Sequence, residues 1–332
     1  MKAVRVHSYG KRPSVDEVPE PAIGGPFDVI VQIGAAGLCR TDLHIVEGQW
    51  AEKSGVQLPY TIGHENAGWV REIGSAVTNV AAGDAVILHP LVTCGLCRAC
   101  RSGDDVHCSN SRFPGIDSDG GMADLLLTTA RSVVKLADGL SPAAVAALAD
   151  AGLTAYHAVR KAVPLLYPGT TCVVIGAGGL GHIGIQCLVA LTATRIVVVD
   201  RNPAALALAR QLGAHEVFES TKDLHDSADV VLDFVGEQGA EKEGLAVTRR
   251  AGSYFVIGYG GSIDIPTIDL ISTERNIIGN LVGSYNDLDE LMTLAAQGRV
   301  TLHTKTYPLA AVHEAIDDLE AGRLRGRGIL VP

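Results

Sequence analysis

From Thr171 to Asp200 the chain reads TCVVIGAGGLGHIGIQCLVALTATRIVVVD: an apolar strand, a glycine loop, a helix and a second apolar strand. Apolar strands alternating with helices need cover on both faces, which implies a doubly wound parallel sheet of the α/β class. Gly176, Gly178 and Gly181 form G-x-G-x-x-G at the strand-to-helix junction, with Gly179 and Leu180 as variable positions. In that context Gly176 permits the tight turn, Gly178 lets backbone approach a pyrophosphate and Gly181 allows close helix packing. The helix N-terminus then holds the anion, as in a Rossmann dinucleotide site. Asp200 ends the next strand, where a carboxylate accepts hydrogen bonds from the adenosine ribose and repels a 2′-phosphate, so NAD is expected over NADP. The neighbouring Arg201 can stack on adenine, pair with a phosphate or stay solvated. Pro203 suits the first turn of the helix PAALALARQLGA, and DVVLDFVG, SYFVIGYGG and RNIIGNLVGS read as further buried strands.

The first 150 residues have another rhythm, with short strands broken by glycine turns: AVRV, DVIVQIGAAG, AGWVREIG and GDAVIL. At 332 residues about two domains are expected. We place a β-rich domain at 1–151, a dinucleotide-binding domain at 152–285, and a tail at 286–332 that rejoins the first domain. With 47% hydrophobic and 19% charged residues the chain can bury a sizeable core. A net charge of −10, with no basic cluster, argues against nucleic acid as a partner. No apolar run approaches the roughly 18 to 20 residues of a membrane span, so no membrane partner is expected.

Cys94, Cys97, Cys100 and Cys108 stand as C-x2-C-x2-C-x7-C. Four thiols at that spacing suit a closed tetrahedral zinc site that stiffens a loop. The N-terminus MKAVRVHSYG has no apolar export region, so a disulfide knot is disfavoured and a cytoplasmic protein is expected. Cys39 precedes R-T-D-L-H, and Gly63-His64-Glu65 opens G-H-E-x2-G-x5-G-x2-V.

Taken together and in this order, the cysteine lobe, the G-H-E motif and the glycine loop resemble the zinc-dependent medium-chain alcohol dehydrogenases over essentially the whole chain. The resemblance implies a GroES-like catalytic domain beside the Rossmann domain, two zinc ions per chain and NAD. Cys39, His64 and Asp150 match the catalytic zinc ligands. Asp150 stands where many relatives have cysteine, as in a branch that acts on secondary alcohols; its alternative is a helix-capping carboxylate. Glu65 matches a residue beside the metal that approaches it during ligand exchange, and Asp42 a partner for the His64 ring N–H. Thr41 and His44 match a proton relay, Arg40 and Arg327 positions that reach the pyrophosphate, and Thr154 one beside the nicotinamide. Trp50, with Leu91 or Val92, matches the substrate-pocket wall, although Trp50 also suits a structural core.

The expected reaction is reversible hydride transfer between a secondary alcohol (or a primary or aromatic one) and NAD, giving ketone or aldehyde. Two other readings stay open, a polyol or amino-alcohol dehydrogenase of the same superfamily and a zinc-independent quinone-reductase-like protein. The small-molecule alcohol or ketone is the expected partner, and the resemblance implies a homo-oligomer, tetramer or dimer.

Overall fold

The computed structural model describes Met1 to Pro332. The chain divides into two compact units, one of Met1–Leu153 with Ser284–Pro332 and one of Thr154–Gly283. No helix is long and apolar enough to cross a membrane.

The unit Thr154–Gly283 is built on a six-stranded parallel sheet. Its strands are Thr171–Ile175, Arg195–Val199, Glu216–Phe218, Ala228–Asp233, Thr248–Val256 and Asn276–Gly279, and in space they run third, second, first, fourth, fifth, sixth. That order reverses direction beside the first strand, where a doubly wound sheet opens a crevice at its carboxyl ends. The central strands are apolar on both faces because both are covered: Val173, Val174, Val197 and Val198 are all at most 1% exposed. One strand differs from its expected environment. RNIIG forms a strand, but Asn276–Gly279 is the sheet's outer edge and lies largely exposed, because no further strand pairs with it. The helix Thr267–Thr273 ahead of it buries no residue.

The other unit is organised around the eleven-residue strand Asp28–Leu38. It pairs antiparallel with Glu65–Ile73, Leu125–Thr129 and Arg327–Val331, and so joins the beginning, middle and end of the chain. Register sets the chemistry. Gly37 faces Glu65 and Leu38 faces Gly328, so Cys39, Glu65 and Arg327 gather at one end of the sheet. Only glycine fits at 37, since a Cβ there would lie 2.0 Å from Glu65 Oε2. The tail returns to this sheet through Thr304–Pro308, which runs parallel to Arg327–Val331.

The lobe 94–108 has little core: Leu96 is 73% exposed, while Val106 is buried. What gathers it is sulfur. The four Sγ atoms lie within 4.8 Å of one another, with Cys97–Cys100 at 3.5 Å and Cys94–Cys100 at 4.0 Å. Zn–S bonds of about 2.3 Å place tetrahedral sulfurs roughly 3.8 Å apart, so the set fits zinc. Backbone N–H groups point at the sulfurs: Cys94 N donates to Cys108 Sγ, and Cys97 N to Cys94 Sγ. Backbone donors from Cys100 and then Ser109 pull the Cys97 thiol down to about 6, which favours the thiolate a metal requires. The buried Asp105 carboxylate accepts hydrogen bonds from the Thr93 hydroxyl and Tyr285 N–H, and so ties the lobe to the helix Tyr285–Ala296.

Two outcomes follow from this architecture. Cys97→Ser should lose one metal ion per chain and lower Tm, because metal binding in such a loop is folding free energy. Metal analysis with calorimetry checks it, and unchanged melting after loss of the ion would remove the structural role. At the C-terminus, Asp318 accepts hydrogen bonds from Lys305, Tyr307 and Arg323, which hold its carboxyl well below the usual carboxylate range. A depressed folded pKa stabilises fully above the unfolded value of about 4, and that stabilisation fades as pH falls further. Asp318→Asn should therefore melt below the parent at neutral pH, with the gap closing between about pH 4 and about pH 2; a gap independent of pH would contradict the assignment.

Candidate functional site

Cys39 ends the turn after the strand Asp28–Leu38 and starts the helix Arg40–Glu47. Its N–H donates to Asp42 Oδ2 at 2.8 Å, while Asp42 Oδ1 lies 3.4 Å from His64 Nδ1. One carboxylate thus spans the cysteine and the imidazole and holds Nδ1 toward itself, leaving Nε2 for a cation. His64 Nε2 lies 3.4 Å from Asp150 Oδ2, and donor atoms of Cys39, His64, Glu65 and Asp150 all fall within 4.8 Å of one another. His64 is 1% exposed, yet neither ring nitrogen makes a hydrogen bond. A buried imidazole left so is costly, on the order of 1–3 kcal/mol per group, unless a cation takes the lone pair. Ligand atoms around zinc sit about 3.3–3.8 Å apart. The residues present fit that ion, with sulfur, nitrogen and carboxylate oxygen as donors.

Glu65 is fully buried, and Arg327 donates through Nη2 to both of its oxygens. Its Oε1 also accepts Ala151 N–H at 3.1 Å, at the start of the helix Ala151–Ala162 that Asp150 precedes. In this structure Arg327 is 4% exposed and turned into that pair. Phe113, which no sequence motif singles out, packs T-shaped with the His64 ring, at 5.9 Å between centroids and 87°.

The remaining expected residues are spread over the same unit. Arg40, Thr41 and His44 lie on the helix Arg40–Glu47, with Thr41 and His44 one turn apart on one face. Trp50 starts the short helix Ala51–Ser54, partly buried against the core, with Lys53 Nζ 5.7 Å from its ring centre. Leu91 is buried; Val92 pairs with Arg112 and lines a cleft with Arg5, Asp119 and Leu127.

In the dinucleotide unit, Gly176 has φ +86°, and a Cβ there would meet Val235 Cγ2 at 2.7 Å. A Cβ at Gly181 would lie 1.8 Å from the Gly176 carbonyl oxygen, so Gly181 is required by the turn itself. Gly184, one turn further along the helix, shares the close approach: a Cβ there would lie 2.6 Å from the Phe234 ring. Open space surrounds Gly178, beside Gly179, while Leu180 caps the helix Gly181–Leu191. Asp200 accepts Ala177 N–H through Oδ2 and Asn202 N–H through Oδ1, both at 2.7 Å, which fixes the carboxylate against the glycine loop. Thr154 is 9% exposed, and its carbonyl accepts from the Asn280 side chain. Asp233, also unread in the sequence, is buried and accepts from Val235 N, Gly236 N and Tyr254 Oη. Burial pushes its carboxyl up, and its bonds fix the loop that Gly176 packs against.

Residues 25–138 match the family model for the alcohol dehydrogenase GroES-like domain, and residues 179–297 that for zinc-binding dehydrogenases. The chain is 35% identical over 350 aligned positions, covering 100% of both chains, to a protein of Sulfurisphaera tokodaii named NAD-dependent alcohol dehydrogenase. Among solved structures it is similar to the alcohol dehydrogenase of Aeropyrum pernix, with TM-score 0.96, 42% identity and 100% of each chain covered. It is also similar to the D-arabinose dehydrogenase of Sulfolobus solfataricus, with TM-score 0.84, 31% identity, and 100% and 99% of the two chains covered. Full-length likeness, paired domain models and a buried zinc-fitting donor set agree: this chain belongs to the zinc-dependent medium-chain alcohol dehydrogenase family.

Proposed function

We propose that the chain is an NAD-dependent alcohol dehydrogenase that interconverts a secondary alcohol and its ketone, with one catalytic and one structural zinc. The observation that carries this reading is the buried His64, whose nitrogens make no hydrogen bond while Cys39, Asp150 and Glu65 crowd around it. The quinone-reductase-like alternative has no use for such a set. Likeness to an alcohol dehydrogenase at 42% identity, against 31% for a sugar dehydrogenase, favours a simple alcohol over a polyol.

Bound zinc supplies the Lewis acidity that lowers an alcohol's pKa, and NAD accepts the hydride. The chain's own residues do the rest. Asp42 holds the His64 tautomer through Nδ1, and Arg327 neutralises Glu65 beside the donors. The Thr41 hydroxyl would accept the alcohol proton as it gives up its own, and the His44 imidazole, one helical turn on, would receive the released proton and pass it to solvent. Asp200, fixed by two backbone N–H groups, receives the adenosine ribose and disfavours a 2′-phosphate. None of the seven cysteines is joined in a disulfide, which supports a cytoplasmic protein.

The edge strand Asn276–Gly279 and the helix Thr267–Thr273 support self-association. Ile268, Ile271 and Leu281 are 65%, 69% and 55% exposed beside an unpaired strand edge. Such an edge pairs with another strand unless it is covered, and the partner we assign is the same edge of a second copy.

Two measurements test these readings. The purified protein should hold two zinc ions per chain, and His64→Ala one; turnover should fall at least about a thousandfold, since Lewis-acid stabilisation is worth several kcal/mol. NADH binding should survive, because Asp200 and the glycine loop lie in the other unit. One zinc per chain in the parent, with an active His64→Ala, would remove the catalytic-zinc reading. Ile271→Glu should move the sedimenting species to a smaller assembly; an unchanged mass would place the interface elsewhere.

A further inference from the structure

A cavity of about 170 Å³ lies at the carboxyl ends of the first two strands of the dinucleotide unit, and its charge is lopsided. Asp200, Glu219, Glu237 and Glu243 line it with a single cation, Arg201, so four carboxylates face one guanidinium. Asp200 alone accounts for recognition of a ribose. The others are unexplained by that contact. Glu243 stands on the helix Ala240–Val247, with Oε1 3.9 Å from Arg201 Nη2 and Oε2 accepting the Thr221 hydroxyl at 3.3 Å. Glu243 thus binds the hydroxyl through one oxygen and pairs with Arg201, whose side chain is 70% exposed, through the other. Glu219 follows the third strand, exposed, with no hydrogen bond or ion pair.

Arg201 is the only cation lining the cavity that could attract a 2′-phosphate, and Glu243, within ion-pair range of it, competes for the same guanidinium. We propose that Glu243 is a specificity-determining residue for the cofactor: it sequesters Arg201 and adds repulsion, so that discrimination against a 2′-phosphate is shared between Asp200 and the helix Ala240–Val247. This rests on the reading of the cavity as the adenosine end of an NAD site. It also separates two tasks. Asp200 rewards the ribose hydroxyls, whereas Glu243 withholds the cation that would reward a phosphate.

The test is equilibrium binding of NADH and NADPH, read by nucleotide fluorescence with no substrate present, in the parent, Glu243→Gln, Arg201→Ala and the double variant. Gln keeps the volume and a hydrogen-bond acceptor for Thr221 but removes the charge. The expected result is that Glu243→Gln raises the ratio of NADPH to NADH affinity about tenfold, equal to about 1.4 kcal/mol. The gain should shrink as salt is added and vanish in the double variant, because it acts through Arg201. A ratio unchanged in Glu243→Gln, or a gain that persists without Arg201, overturns the proposal. Failure of the underlying NAD reading has a different signature, a parent protein that does not bind NADH at all. Thermal melting of each variant identifies a ratio altered by misfolding, and Glu243→Asp, which restores the charge, should return the parent ratio.

Discussion

One buried ion pair holds the catalytic unit in register. Glu65 and Arg327 are 262 positions apart in sequence and both essentially excluded from water. Neither charge could be there alone, since removing one partner from such a pair costs about 3–5 kcal/mol. Glu65 also accepts the N–H of Ala151. A single carboxylate thereby ties the strand that follows His64, the C-terminal strand and the helix that follows Asp150. The proposed ligands are carried by segments far apart in the chain, and this contact gives those segments a common origin.

The two proposed metal sites solve opposite problems. In the lobe, amide N–H groups converge on sulfur and favour the Cys97 thiolate, and the loop contributes almost no apolar burial of its own. The Cys39–His64–Asp150 cluster sits among buried strands and needs only its side chains aimed, which Asp42 does from behind. Four sulfurs close a coordination shell. Three mixed donors leave room for a substrate oxygen, with Glu65 at hand.

Local signals were legible in the sequence and long-range ones were not. The glycine loop, Asp200 and the cysteine run depend on spacing within 30 residues, and the strands and helices from Thr171 onward follow from periodicity. Asp150 could be named only by resemblance, because its nearness to His64 depends on tertiary packing. Phe113, Asp233 and Gly184 were missed for the same reason: each matters through what it touches, respectively His64, Tyr254 and Phe234. RNIIGNLVGS was read as buried because its composition is that of an inner strand, and composition does not reveal that the sheet stops there.

The contact between Asp105 and Tyr285 gives the cysteine lobe a reach beyond its own loop. Tyr285 is the first residue of its helix and also donates its hydroxyl to the Val133 carbonyl, while Ser284 and Asp287 cap that helix reciprocally. Just before them comes Val282, a β-branched residue held at φ +41°, a conformation that persists only when its surroundings enforce it. The Asp105 carboxylate, the Val133 carbonyl and the reciprocal cap therefore hold the first turn of the helix Tyr285–Ala296 from three sides, three positions after that residue, so the cysteine lobe helps fix where the returning tail begins.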